Sequence, residues 1–156
     1  MILKSGDKAP DFTLVSSDKS EISLSNYSDK NVILLFFPLA FTGTCTEELC
    51  SMRDDIATYN NMNAEVLAIS VDSPFSLGKY KEEQELNFPL LSDFNKNVSR
   101  SYGALYEHFV LGMKGVSKRS AFVIDKNGVI RYAEVLENAA ELPNFAAVRE
   151  TLNNLS

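Results

Sequence analysis

The sequence predicts an α/β domain in which helices flank a mixed central sheet, with a β-hairpin at its N-terminal end. Three observations carry that expectation. Val32-Ile33-Leu34-Leu35-Phe36-Phe37 is continuously apolar, as a strand buried on both faces must be. Residues 46–60 carry Leu49, Met52, Ile56 and Tyr59 at helical spacing, and residues 65–71 read as a second buried strand. Strand, helix, strand in that order implies a parallel pair joined by a right-handed crossover. Further on, residues 120–124 and 129–133 flank Asp125-Lys126-Asn127-Gly128, whose Asn-Gly is a strong hairpin signal, so the sheet also holds antiparallel strands.

The other elements follow from shorter signals. Phe12-Thr13-Leu14-Val15 and Ile22-Ser23-Leu24 alternate around Ser17-Asp18-Lys19-Ser20 and predict the N-terminal hairpin. Pro38 ends the strand at 32–37. Pro74 suits the first turn of a helix that runs to about residue 85. Phe88-Pro89-Leu90-Leu91 reads as extended, a short helix is expected near 95–101, and an irregular stretch follows. A last helix begins after Pro143. No repeat, low-complexity tract or linker divides the chain, so residues 1–156 are read as one domain.

Composition narrows the function. The chain is 45% hydrophobic and 23% charged, ordinary for a globular protein, and its net charge of −6 argues against a nucleic-acid partner. No apolar run approaches the roughly 20 residues of a membrane span, and the N-terminus lacks a signal-peptide core. A cytoplasmic protein without a membrane partner is expected. Structural disulfides are rare in that compartment, so Cys45 and Cys50 are read as redox-active, metal-binding or inert. With one histidine, His108, the two cysteines make a poor zinc set, and no metal or cofactor is expected.

The stretch from Phe37 to Cys50 joins the buried strand to the helix, where loops over open α/β sheets build sites. Thr44-Cys45-Thr46-Glu47 fits a capping box with Thr44 at the N-cap and Cys45 at the first helical position. There the helix dipole and unpaired backbone amides favour the thiolate, the form that acts as nucleophile. A small buried hydrophobe is the plainer reading of the same cysteine.

Pro38-Leu39-Ala40-Phe41-Thr42-Gly43-Thr44-Cys45 contains Pro-x-x-x-Thr-x-x-Cys, and in this the chain resembles the peroxiredoxins, the alkyl hydroperoxide reductase/thiol-specific antioxidant superfamily. The resemblance extends to Ala9-Pro10-Asp11-Phe12 and to Arg119-Ser120-Ala121-Phe122-Val123-Ile124-Asp125. It implies a thioredoxin-like fold and a thiol-dependent peroxidase of hydrogen peroxide and organic hydroperoxides. Cys45 would be the thiolate that attacks peroxide. Thr42 would hydrogen-bond the thiolate and the attacked oxygen, and Pro38 would shield the sulfenic acid from water. Arg119, from the later strand, would stabilise the thiolate and polarise the peroxide. Glu48 matches an often acidic position that would orient Arg119, though an exposed helix glutamate explains it equally well. Arg53, beside Asp54 and Asp55, reads as part of a solvated face. Phe41, Phe75 and Phe88 are candidates for an apolar entrance or for the core.

Peroxide attack leaves Cys45 as a sulfenic acid, which a second thiol condenses with to form a disulfide. Cys50 is the only other cysteine. Five helical residues place the two about 7.5 Å apart along the axis and about 140° apart around it, while a disulfide needs Cα atoms about 4.4–6.8 Å apart. Bridging them therefore requires the first turns of the helix to unwind. Cys-x4-Cys in this helix resembles the bacterioferritin-comigratory-protein or Q-type peroxiredoxins, which resolve in this way. Phe-Pro-Leu-Ala-Phe-Thr-Gly resembles the one-cysteine alkyl hydroperoxide reductase E type, in which an external thiol resolves. The family implies recycling by thioredoxin or a similar dithiol, and a monomer or weak homodimer rather than a decamer. No Gly-Gly-Leu-Gly insertion or C-terminal Tyr-Phe of the kind linked to easy overoxidation is present, so resistance to sulfinic acid formation is expected. A thioredoxin-like disulfide reductase is the enzymatic rival, but no Cys-x-x-Cys is present.

Overall fold

The computed structural model describes residues 3–155. Met1, Ile2 and Ser156, at the ends of the predicted 1–156 domain, lie outside the described residues. The N-terminal hairpin is β1 (Thr13–Ser16) and β2 (Glu21–Ser23). Next come β3 (Asn31–Phe36), α1 (Gly43–Asp54), α2 (Ile56–Asn61), β4 (Ala64–Ser70), α3 (Pro74–Gln84), β5 (Leu90–Ser92) and α4 (Asn97–Ser101). A two-stranded sheet of β6 (Leu105–Tyr106) and β7 (Val116–Ser117) precedes β8 (Ser120–Ile124), β9 (Ile130–Val135) and α5 (Phe145–Asn154).

The main sheet runs β2-β1-β5-β4-β3-β8-β9. As expected, β3 and β4 are parallel across their connecting helices, and β8 and β9 form an antiparallel hairpin. The turn between β8 and β9 carries its Gly at φ +78, and the Asp125 carboxylate accepts the Asn127 and Val129 amides. A left-handed backbone there costs a glycine nothing, which is why Asn-Gly marks such turns.

Strand β3 is buried along its whole length, and its pleat feeds two cores. Ile33, Leu35 and Phe37 join Leu49, Met52, Tyr59, Leu77, Val148 and Leu152, the inner faces of α1, α2, α3 and α5. Val32, Leu34 and Phe36 face the opposite side, with Leu67, Ile69, Tyr102 and Phe122. Phe36, Tyr102 and Phe122 pack ring on ring there, with centroids 5.3–5.9 Å apart. Each large side chain closed in this way contributes about 1.5–3 kcal/mol. Helix α1 thus lies on the first core.

Two expectations change. The helix expected over 46–60 is two helices meeting at Asp55, whose φ of −101° and ψ of 8° are not helical. Asp is a weak former in a helix interior, and the break still lets Tyr59 bury completely. The irregular stretch after residue 101 holds β6 and β7, paired at Leu105 with Ser117 and Tyr106 with Val116. Strands of two residues leave no period in a sequence. The helix at Pro74 is as expected, capped by the Ser73 hydroxyl on the Ser76 amide at 3.1 Å and stopped where Glu85 turns left-handed.

Candidate active site

The loop after β3 is held from beneath. Asp72, just past β4, accepts the Ala40 amide on Oδ2 at 2.8 Å and the Ser70 hydroxyl at 2.7 Å. Phe41 then takes φ +66, a left-handed conformation that is unfavourable for a bulky residue, and the chain turns into α1. The turn comes two residues earlier than expected. Thr42, not Thr44, is the N-cap, so Cys45 stands at the third helical position rather than the first.

No capping box forms, because the Thr42 hydroxyl donates to the Leu39 carbonyl at 2.7 Å instead of serving the helix. Threonine makes such local backbone bonds readily in a loop. The first helical bond runs from the Thr46 amide to the Thr42 carbonyl. The amides of Gly43, Thr44 and Cys45 are therefore left out of the helix ladder, and Cys45 remains in the positive first turn.

Cys45 is 1% exposed. Glu48 lies three residues on, on the same helix face, and is fully buried. Arg119, just ahead of β8 rather than within the strand, reaches both. Its Nη2 donates to Cys45 Sγ at 3.2 Å, its Nη1 to Glu48 Oε1 at 2.7 Å, and its Nε to the Ala139 carbonyl at 2.8 Å. One planar cation is thus fixed by three acceptors, a geometry that lysine cannot copy.

Burial pushes the Glu48 carboxyl up to about 7 against the pull of Arg119, and its second oxygen has no hydrogen-bond partner among the described residues. Burial works against the charge of Arg119, but Glu48 and Cys45 together hold it above its ordinary value. Of the two readings the sequence leaves open for Glu48, the exposed helix glutamate does not hold, because the side chain is buried against Arg119. Its i, i+3 spacing from Cys45 puts it on the same helix face as the thiol.

Pro38, Thr42, Cys45 and Arg119 line one cavity of about 650 Å³. Chain distant in sequence is brought to its other wall, where Tyr106, Phe109, Val110, Leu111 and Met113 present apolar surface. The apolar entrance is therefore not Phe41, Phe75 and Phe88. Phe88 is core, Phe75 is exposed, and Phe41 packs edge-on against Tyr80 with centroids 5.0 Å apart. Their spacing in sequence carried no information about the β6–β7 hairpin. His108 lines the same cavity, while the charged partner of Cys45 is Arg119.

The expected bond from Thr42 to the sulfur is not made in this arrangement. With its proton directed at Leu39, the hydroxyl is left to accept a bond from a ligand in the cavity. Arg53 is not simply solvated, since its Nη1 donates to the Gln84 carbonyl at the end of α3 at 2.6 Å. Cys50 is half-buried with its Sγ 3.5 Å from Gln84 Oε1, and both cysteines are free thiols.

A buried thiol in a helix's first turn, with a guanidinium against its sulfur and an apolar cavity before it, defines a thiol-based redox enzyme. Such a sulfur can serve as a nucleophile, and such a cation can support negative charge on it and on a departing oxygen. Residues 5–133 match the AhpC/TSA family model, and the chain belongs to that family of peroxiredoxin-type peroxidases. It is 41% identical over 137 residues to alkyl hydroperoxide reductase E of Mycobacterium tuberculosis, covering 86% of each chain.

Solved structures agree. Peroxidoxin BcpB from Mycobacterium tuberculosis superposes with a TM-score of 0.87 at 28% identity, covering 99% of both chains. A peroxiredoxin-like protein from Aquifex aeolicus gives 0.90 at 27% identity, covering 100% of this chain and 90% of its own. The fold is the thioredoxin-like one that the resemblance implied.

Proposed function

We propose that the protein reduces hydrogen peroxide and organic hydroperoxides at Cys45, forms an intramolecular disulfide with Cys50, and is recycled by thioredoxin or a similar dithiol. The Arg119 bridge between Cys45 and Glu48 at the inner end of the cavity carries this reading. The Cys45 thiolate attacks one peroxide oxygen and the O–O bond breaks. The sulfur becomes a sulfenic acid, a two-electron oxidation, and the other oxygen leaves as water or an alcohol after taking a proton. Arg119 steadies the charge before and after the transfer, Thr42 accepts a bond from the peroxide O–H, and Pro38 covers the oxidised sulfur. The Cys50 thiol then condenses with the sulfenic acid, releasing water and leaving a disulfide for the dithiol donor to reduce.

Exposing reduced wild type and Cys50→Ser to one equivalent of hydrogen peroxide tests this by intact mass and peptide mapping. A loss of 2 Da at a Cys45–Cys50 bridge, replaced by Cys45 sulfenic acid in the variant, is expected. The half-burial of Cys50 against Gln84 favours a second reading, resolution by an external thiol. Sulfenic acid on Cys45 in both proteins would select it. An unoxidised Cys45 in folded protein would end both readings.

A further inference from the structure

Besides the contact of Cys50 Sγ with Gln84 Oε1, helix α1 is fastened on either side of Cys50 to α3 and to the chain just past its end. Toward its C-terminal end, Arg53 donates to the Gln84 carbonyl, and the Asn87 side chain donates to the Arg53 carbonyl at 3.2 Å. Toward its N-terminal end Arg119 bonds Cys45 and Glu48, and the side-chain bond to α3 is that of the Thr46 hydroxyl with the Tyr80 phenol at 2.8 Å. Thr46 adjoins Cys45. Tyr80 is fully buried, with Phe41 edge-on to its ring and Phe37 tilted against it at 6.4 Å. Burial pushes its phenol up to about 12, with the Thr46 bond opposing, so it stays protonated and able to bond.

A Cys45–Cys50 bridge cannot form across intact helix, because the two lie about 7.5 Å apart along the axis. Cys50 is kept in place by the C-terminal fastening, so Cys45 is the partner that must travel. Its departure takes the sulfur from Arg119 and unwinds the first turns, which breaks the Thr46–Tyr80 bond. We propose that Thr46 and Tyr80 form the latch that sets how long oxidised Cys45 stays in the folded site before it reaches Cys50. The inference rests on the reading of Cys50 as the resolving thiol, and both residues act as positioning groups. While the latch is closed, the sulfenic acid faces the cavity and can meet a second peroxide, which oxidises the sulfur by two more electrons to sulfinic acid and leaves as water or an alcohol. Once it opens, Cys50 displaces water from the sulfenic acid and the disulfide closes.

Tyr80→Phe and Thr46→Val each delete one hydroxyl from the full-length protein at nearly constant shape. After one equivalent of hydrogen peroxide, each is expected to gain 2-Da-lighter protein about fivefold faster than wild type, the weight of one net hydrogen bond. Under excess peroxide each should accumulate less protein carrying an added 32 Da. The double variant should be no faster than either single one, since one bond is deleted in all three, and Thr46→Ser should restore the wild-type rate. A disulfide forming at one rate in every protein overturns the latch alone. So do single effects that simply add, because general loosening of the helix would add. Absence of the disulfide from wild type and variants, with sulfenic acid persisting on Cys45, overturns the Cys50 reading and the latch with it. Thr46 is only half-buried, so Thr46→Val supplies the measurement even if Tyr80→Phe is poorly folded.

Discussion

Arg119 and Glu48 form a 2.7 Å ion pair that is almost wholly closed to solvent, at 2% and 0% side-chain exposure. Arg119 also holds the Cys45 sulfur, so stability and reactivity meet in one side chain. Replacing Arg119 with Met leaves Glu48 without its counter-charge, and a loss of about 3–5 kcal/mol in unfolding free energy is expected by urea titration. Arg119→Lys keeps the charge but cannot meet three acceptors at once. It should lower kcat/KM for hydrogen peroxide by about 100-fold in stopped-flow assays. Activity within a few-fold of wild type would mean that charge alone suffices.

Glu48 gives the fold a pH dependence. Unfolded, it titrates near 4.5; folded, near 7. Between those values the folded protein keeps a proton that the unfolded chain has released, so this group's contribution to stability falls as the pH rises through the window. Below it both states hold the proton, above it neither does, and the slope vanishes. Urea midpoints from pH 4.5 to 7 should fall less steeply in Glu48→Gln than in wild type. Parallel profiles would show that Glu48 does not titrate in this range.

Asp72 acts on the site through the backbone. Asp72→Ala removes the acceptor for the Ala40 amide and frees the loop that carries Pro38 and Thr42. A displacement of that loop should lower kcat/KM by about tenfold or more. Asp72→Asn keeps an oxygen in place and should recover most of the rate. Equal losses in both variants would point to the charge instead.

The apolar wall of the cavity makes a prediction about substrate. Met113→Asp should reduce kcat/KM for cumene hydroperoxide by about tenfold, since burying the aromatic group against Met113 is worth a kcal/mol or more. Hydrogen peroxide, which has no apolar part, should lose little. A matching loss for both peroxides would place the effect at Cys45 rather than on the wall.

The second core is separable from the chemistry. Phe122 lies across the sheet from Cys45, against Phe36 and Tyr102. Phe122→Ala should cost about 3–5 kcal/mol in stability while the folded fraction keeps its rate of Cys45 oxidation. A large fall in that rate would show that the sheet transmits the cavity to the site.

Much of this protein is legible in its sequence, because the signals are local or periodic. Val32 to Phe37 reads as a two-faced buried strand, Asn127-Gly128 reads as a sharp turn, and Pro38, Thr42 and Cys45 carry their motif in eight consecutive residues. The order of strands and helices then determines a parallel β3–β4 pair and an antiparallel closing hairpin. What the tertiary structure decided depends on contacts between distant segments. Arg119 meets Cys45 and Glu48 across more than seventy residues, and only there does Glu48 cease to be one more helix carboxylate. Helix α1 begins at Gly43 because Thr42 bonds Leu39 and Asp72 holds the loop, a competition that Thr-x-x-Glu spacing cannot reveal. The β6–β7 hairpin and the partnership of Thr46 with Tyr80 leave no mark in composition or period, since both arise where separately folded segments close on one another.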